Sequence, residues 1–248
     1  MKAERISDIE NYIYENKTVT LDQLCEKFNV SKNTIRRDLE ELCSNGSIQK
    51  TYGGATIHQR KELVSYHERS IRNLAQKRKI AATASNFVKN GDIIFIDSGT
   101  TTSRMFDHIA DKQLTILTNN LEFINQAIPY DNLDIITLSG QLNRKALSFA
   151  GDTAASVLSQ YNISKAFMAA AGISAQGATN SSRGEYVVKK TALEKGQKIY
   201  LLVDSSKFNC ISLMTYCTLD EIDVLITDAC PPDDILDHFL QSKKDVLY

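Results

Sequence analysis

The sequence predicts a small winged helix–turn–helix domain followed by an α/β domain built on a mainly parallel sheet. Three observations predict it. Residues 3–42 hold three short segments whose apolar residues recur at helical spacing. The pair Gly53-Gly54 follows, flanked by two short segments that suit a hairpin. From residue 76 onward, brief apolar runs alternate with helical segments, the pattern of a parallel sheet covered on both faces.

Composition bounds the possibilities. At roughly 150 residues per domain, 248 residues make one or two domains with ample chain for a core. Three prolines and eleven glycines without a low-complexity tract exclude a collagenous or wholly disordered chain. With 29 basic and 30 acidic side chains, the chain is no bulk polycation, although a local basic face remains open. The longest apolar run, 166–173, is far short of the roughly 20 residues that cross a bilayer. Residues 1–10 carry Glu4, Asp8 and Glu10 and no apolar run, unlike a secretory signal. The expectation is a cytoplasmic chain with no membrane partner. Five cysteines (Cys25, Cys43, Cys210, Cys217, Cys230) form no CxxC pair, and His58, His67, His108 and His238 are far apart. Reduced thiols, no metal and no cofactor are therefore expected.

In the first domain, expected over 1–58, Ile6, Ile9 and Ile13 give a helix over about 3–16. Thr20 and Gln23 form a capping-box pair that opens a short second helix with Leu21, Leu24 and Phe28 on one face. Asn29 and Val30 turn the chain, and Ser31 suits the N-cap of a third helix striped by Ile35, Leu39 and Leu42. Gly46 is placed to end it. Segments 47–52 and 55–58 then form the hairpin. The helix–turn–helix proper spans about 20–39.

Charge placement points to double-stranded DNA. Residues 1–60 carry nine bases and nine acids, yet 31–37 hold Lys32, Arg36 and Arg37 with no acid. Ser31, Asn33 and Thr34 add polar groups beside them. The start of a recognition helix faces the major groove, where Arg pairs with guanine and Asn with adenine. Lys50, Tyr52, Gly53 and Gly54 in the hairpin complete the expected DNA-binding set. The plainer alternative is a three-helix domain with a solvated basic face.

Residues 59–75 are polar, lack an apolar stripe and suit a linker. In the domain expected over 76–248, a helix around 76–89 ends at Asn90-Gly91. Strands are expected at 93–96, 114–118, 134–138, 165–169, 198–203 and 224–227. Ligands of such sheets bind beyond the carboxyl ends of strands. There lies Asp97-Ser98-Gly99-Thr100-Thr101-Thr102, leading into a helix over about 102–110. Gly99 permits close backbone approach, and the hydroxyls sit beside free helix N-terminal amides, which favours a phosphate dianion. Thr118-Asn119 forms a second polar corner. Gly151, Thr179, Asn180, Glu185 and Lys207 follow. Glu185 and Lys189, four apart, equally suit an exposed ion pair.

The run TVTLDQLCEKFNVSKNTIRRDLEEL, ending at Leu42, resembles the DNA-binding motif of DeoR-type bacterial regulators, and 52–55 resembles their wing. The likeness continues through Arg69, 79–81, 97–102 and 204–208. It thus covers nearly the whole chain in the family's order. This resemblance implies a repressor, less often an activator, of sugar-use genes, released from operator DNA by a phosphorylated sugar or related metabolite, and a dimer or tetramer. It also implies a sensor domain like ribose-5-phosphate isomerase, in which Thr100–Thr102 hold the phosphate and Asn119, Glu185 and Lys207 address the sugar. The rival reading is a sugar-phosphate isomerase or a coenzyme A transferase-like enzyme. Such isomerases carry an acid-rich segment, Asp-Gly-Ala-Asp-Glu. The corresponding stretch here, 169–177, has no acid. A regulator rather than an enzyme is expected.

Overall fold

The computed structural model describes residues 2–16, 18–44, 48–51, 53–57 and 64–248, and the chain divides into two compact units, Met1–Glu62 and Leu63–Tyr248.

The first unit runs α1 (Lys2–Asn16), β1 (Thr18–Thr20), α2 (Leu21–Phe28), α3 (Lys32–Ser44), β2 (Ile48–Thr51) and β3 (Gly54–Ile57). Its apolar stripes converge as their spacing requires: Ile9, Ile13, Leu24, Ile35, Leu39 and Leu42 are all buried, closed over by Val19 and Ala55. The Thr20 hydroxyl accepts from the Gln23 amide at 3.2 Å, and the Gln23 side chain accepts from the Thr20 amide at 2.8 Å. Asn29 supplies the left-handed turn at φ 51°. The Ser31 hydroxyl then accepts from the Thr34 amide at 3.3 Å, capping α3.

Two findings go beyond the sequence reading. The hairpin gains a third strand: β1 pairs antiparallel with β3, setting Val19 opposite Ala55. A Cβ on Gly54 would lie 2.1 Å from the Val19 carbonyl oxygen, so this pairing requires glycine there. Asp38 is buried and accepts from the Arg5 guanidinium at 2.8 Å, tying α3 to α1. Gly46, Tyr52 and His58, expected as cap, wing residue and wing end, lie outside the described residues.

The second unit opens inside the stretch expected to be linker. Ser65 caps α4 (Tyr66–Ile71) by accepting from the Glu68 amide, and α5 (Leu74–Ser85) follows. Tyr66 is buried, which the polar surroundings of the segment conceal. α5 stops four residues before the expected end, because residues 86–88 bond back three residues in a tightened turn. The remaining elements are β4 (Ile93–Ile96), α6 (Phe106–Ile109), β5 (Leu114–Thr118), α7 (Leu121–Ala127), β6 (Leu133–Thr137), β7 (Gln141–Asn143) and β8 (Ser148–Ala150). They continue with α8 (Asp152–Leu158), β9 (Lys165–Ala169), β10 (Gly172–Ser174), β11 (Gly177–Asn180), α9 (Arg183–Lys195) and β12 (Ile199–Leu202). β13 (Met214–Cys217), β14 (Val224–Ile226), α10 (Asp233–Gln241) and β15 (Asp245–Leu247) complete the chain. The helix expected over 102–110 is a 3-10 turn, Thr102–Met105, running into α6.

The main sheet is fully parallel, in the order β15-β14-β12-β9-β4-β5-β6. Alternate residues face opposite layers. Phe95, Leu117, Met168 and Leu201 pack toward α8, α9 and α10, whereas Ile94, Ile96, Phe167 and Tyr200 pack toward α5, α6 and α7. A small antiparallel sheet, β10-β11-β13, and the hairpin β7-β8 are additions that the sequence reading did not separate from loops. The chain builds outward from β4 in both directions, so β4 and β9 flank a topological switch point, where open α/β sheets leave a crevice.

Ile35 is fully buried on α3. Ile35→Ala is expected to cost about 2–5 kcal/mol, as core truncations do. In a unit this small that loss should show as an early helical transition in urea denaturation of the full chain.

Candidate functional site

Two constellations emerge, one in each unit. On the first unit, Lys32, Asn33, Arg36 and Arg37 are exposed along the start of α3, and Gly53 is exposed at the hairpin tip. Arg36 donates to Asn33 Oδ1 at 3.4 Å. Lys32 Nζ lies 2.6 Å from Asp22, whose carboxylate raises the ammonium's pKa, and Lys50 Nζ lies 2.9 Å from Glu40. Several of the expected residues already have partners.

On the second unit, the site forms at the switch point. Asp97, just past β4, is buried. One carboxylate oxygen accepts from the Ser98 amide at 2.8 Å, and the other accepts from the Ala169 amide at 2.9 Å, bridging β4 to β9. Lys189 of α9 closes the arrangement, donating to Asp97 and to the Ala169 carbonyl. Tyr216 donates to the same carbonyl at 3.0 Å, and burial pushes its phenol well above the usual value. The sequence reading had left Glu185 and Lys189 open as an exposed pair. Both are buried, and Lys189 pairs with Asp97.

The loop after Asp97 is cramped and polar. A Cβ on Gly99 would sit 2.3 Å from the Ala169 Cβ, so only glycine lets the loop lie this close to β9. The Thr102 hydroxyl donates to the Asp97 and Gly99 carbonyls at 2.8 and 2.9 Å, holding the loop's shape. Thr100 and Thr101 are buried, and their hydroxyls have no partner among the described residues. Beside the loop, Glu185 accepts from Ser148 at 2.9 Å and from Ser98 at 3.4 Å. The Thr118 hydroxyl donates to the Ile96 carbonyl at 2.7 Å, and Asn119 donates to the Phe149 carbonyl at 3.0 Å. Gly151, at φ +98°, passes its amide to the Gly184 carbonyl next to Glu185.

Thr179 has a different part. Its hydroxyl donates to the Gly172 carbonyl and accepts from the Ser212 amide, so it knits β10, β11 and the loop before β13. Its neighbour Asn180 donates to the Ser182 carbonyl. Five buried side-chain atoms stand without a partner among the described residues: Arg104 Nε, Asn119 Oδ1, Asn180 Oδ1, Asp204 Oδ2 and Thr227 Oγ1. Buried polar atoms left without a partner are costly.

The sequence reading missed the second half of this site. Arg69 of α4 is largely buried; desolvation pulls its pKa down, while Glu185, Tyr66 and Asp97 oppose that shift. Lys77 of α5 is buried, donates to the Arg69 carbonyl, and is pulled down to about 8 by desolvation. Asp204, Lys207, Arg69 and Arg104 face it electrostatically. Asp204 accepts from Asn73 at 2.9 Å. Burial raises the Tyr66 phenol's pKa, while Ser103 and Asn120 beside it lower it. The spacing of Ser65 and Glu68, a capping signature, was the available signal for α4. A separate surface groove of about 510 Å³, lined by Lys79, Thr83, His108 and Lys112 among others, contains none of these residues.

A helix–turn–helix unit followed by an α/β unit with a buried charged cluster at its switch point is the architecture of a transcriptional regulator with a sensor domain. Residues 5–61 match the DeoR-like helix-turn-helix domain, and residues 72–229 match the DeoR C terminal sensor domain. The chain belongs to the DeoR family. It is 44% identical over 236 residues to the HTH-type transcriptional regulator IolR of Bacillus subtilis, covering 94% of both chains. It is 33% identical over 232 residues to the lactose phosphotransferase system repressor of Staphylococcus epidermidis, covering 92% of each. Among solved structures, ribose 5-phosphate isomerase A of Methanocaldococcus jannaschii aligns with a TM-score of 0.41 and 18% identity, covering 55% of each chain. No helix among the described residues is long and apolar enough to cross a membrane.

Lys189→Ala would leave the Asp97 carboxylate buried without its cation. Breaking a buried pair from one side costs about 3–5 kcal/mol. Urea denaturation of the full chain should therefore show that loss, whereas Lys190→Ala, removing an exposed lysine's ion pair, should cost less than about 1 kcal/mol.

Proposed function

We propose that this chain is a repressor of sugar-use genes that grips operator DNA through α3 and the hairpin and lets go when a phosphorylated sugar fills the switch-point crevice. The observation that carries this reading is the charge balance of the crevice. Arg69, Lys77, Arg104, Lys189 and Lys207 face Asp97, Glu122, Glu185 and Asp204. The cations outnumber the carboxylates, which suits an anion such as a phosphomonoester. The amides of Gly99–Thr102, bonded to no acceptor among the described residues, and the Thr100 and Thr101 hydroxyls supply donors for its oxygens. Asn119, Asn180 and Asp204 offer acceptors to sugar hydroxyls. Glu185 and Lys207 border the sugar end.

The relatives support the same reading, since one is named a phosphotransferase-system repressor. Against the isomerase alternative stand the acid-free stretch 169–177 and the engagement of both nearby carboxylates, Asp97 by Lys189 and Glu185 by two serines. An aldose–ketose isomerase needs a carboxylate placed to carry a proton between carbons. Palindromic half-sites require an even-numbered oligomer, so a dimer or tetramer in the cytoplasm completes the proposal. α4 links sensing to release: it bears Tyr66 against the loop and begins three residues beyond the end of the first unit. Only a ligand that binds the two states unequally moves the equilibrium.

Thr101→Val removes one phosphate donor at nearly constant size. Hydrogen bonds to charged groups are worth about 1.5–3 kcal/mol. The variant should bind operator like wild type, yet need about tenfold more sugar phosphate for release. Operator affinity measured with and without effector checks this. Release at the wild-type concentration would make Thr101 a structural residue.

A further inference from the structure

Leaving Lys2 aside, six basic side chains of the first unit lie on described residues, and five are engaged. Arg5 is bound to Asp38. Lys27 sits over the Tyr12 ring. Lys32 is paired with Asp22, Lys50 with Glu40, and Arg36 is bonded to Asn33. Only Arg37 has no partner among the described residues. Two of these pairs bridge separate elements across the face assigned to DNA: Lys32 begins α3 while Asp22 lies in the first turn of α2, and Lys50 lies on β2 while Glu40 lies on α3. Both carboxylates are well exposed, at 77% and 65%.

Exposed ion pairs are weak and easily exchanged. A phosphate oxygen can therefore replace a carboxylate, but only if the approach also moves the carboxylate away from the polyanion. On random DNA, binding consists almost wholly of phosphate contacts, so nothing else offsets that exchange. On an operator, base contacts press the face into the groove and do offset it.

We propose that Asp22 and Glu40 hold Lys32 and Lys50 out of non-specific binding, so that these lysines reach phosphates only on the operator, at a cost to operator affinity. The proposal rests on the assignment of α3 and the hairpin to DNA. It goes beyond that assignment by giving two acids a function on a DNA-binding face. It also accounts for a DNA-binding unit whose first sixty residues carry no net charge.

The test compares wild type with Asp22→Asn/Glu40→Gln on two probes: a random-sequence duplex, and a duplex that the wild-type full chain selects from a random library. Each is titrated across a series of salt concentrations. Each phosphate contact adds about 0.9 to the slope of log affinity against log salt. The wild-type slope should therefore be steeper on the selected duplex than on the random one, by about 1.8 for two lysines. In the double variant the random-duplex slope should steepen by the same amount and its affinity rise about tenfold, while the selected-duplex slope stays as in wild type and its affinity rises at least as much. Asp8→Asn/Asp107→Asn, on exposed positions of α1 and α6, makes the same net charge change and should leave random-duplex binding within about twofold. An unchanged random-duplex slope in Asp22→Asn/Glu40→Gln, or an equal rise in the control, overturns the proposal. Arg37→Ala separates the two readings. If it leaves selected-duplex binding intact, the DNA face itself is misassigned; if it weakens binding while the acids have no effect, only the proposal made here fails.

Discussion

Everything in the sensor unit is arranged around one buried carboxylate. Asp97 stands where the sheet's strand order reverses, and its two oxygens reach the loop after β4 and the β9 side at once. Such a charge is tolerated inside a protein only when paired and fully hydrogen-bonded. Lys189, projected from α9, meets that demand. The pair therefore fixes four things together: the end of β4, the end of β9, the position of α9, and the shape of the loop that follows. Glu185, one turn earlier on α9, is brought to the loop as a consequence.

That arrangement explains why the crevice is rich in donors and poor in free carboxylate. Both acids nearest the loop are already engaged. The loop amides, Lys77, Arg69 and Lys207 are not matched by equal negative charge. Under the proposed function, such a site recognises an anion rather than performing proton transfer on it. Lys77 sharpens this point: burial lowers its pKa to about 8, so its charge is kept at neutral pH and lost above it. Because the unfolded lysine still holds its proton between about 8 and the ordinary value near 10.4, stability gains with rising pH in that window while attraction for an anion falls.

Much of this was legible in the sequence, for physical reasons that differ by region. Caps, turns and apolar spacing are local, so Thr20 with Gln23, Ser31, and the stripe Ile35, Leu39 and Leu42 could be read directly. The parallel strands were visible as short apolar runs, and Asp97–Thr102 as a polar loop after one of them. Contacts between distant segments were not legible. Lys189 with Asp97 is 92 residues apart, and Asn73 with Asp204 is 131 apart. Arg69 and Lys77 read as ordinary solvated bases because their burial depends on α4 and α5 folding over the strand ends. β1 is three residues long, too short for any period to show.

The central claim is that the crevice recognises the phosphate of a sugar phosphate. Calorimetric titration of the full chain with a panel of sugar phosphates, each beside its unphosphorylated parent sugar, tests this most directly. The account expects at least one phosphorylated sugar to bind with a single site per chain, while its parent shows no measurable binding under the same conditions. Equal binding of a sugar and its phosphate, or no binding by any phosphorylated sugar, would contradict it.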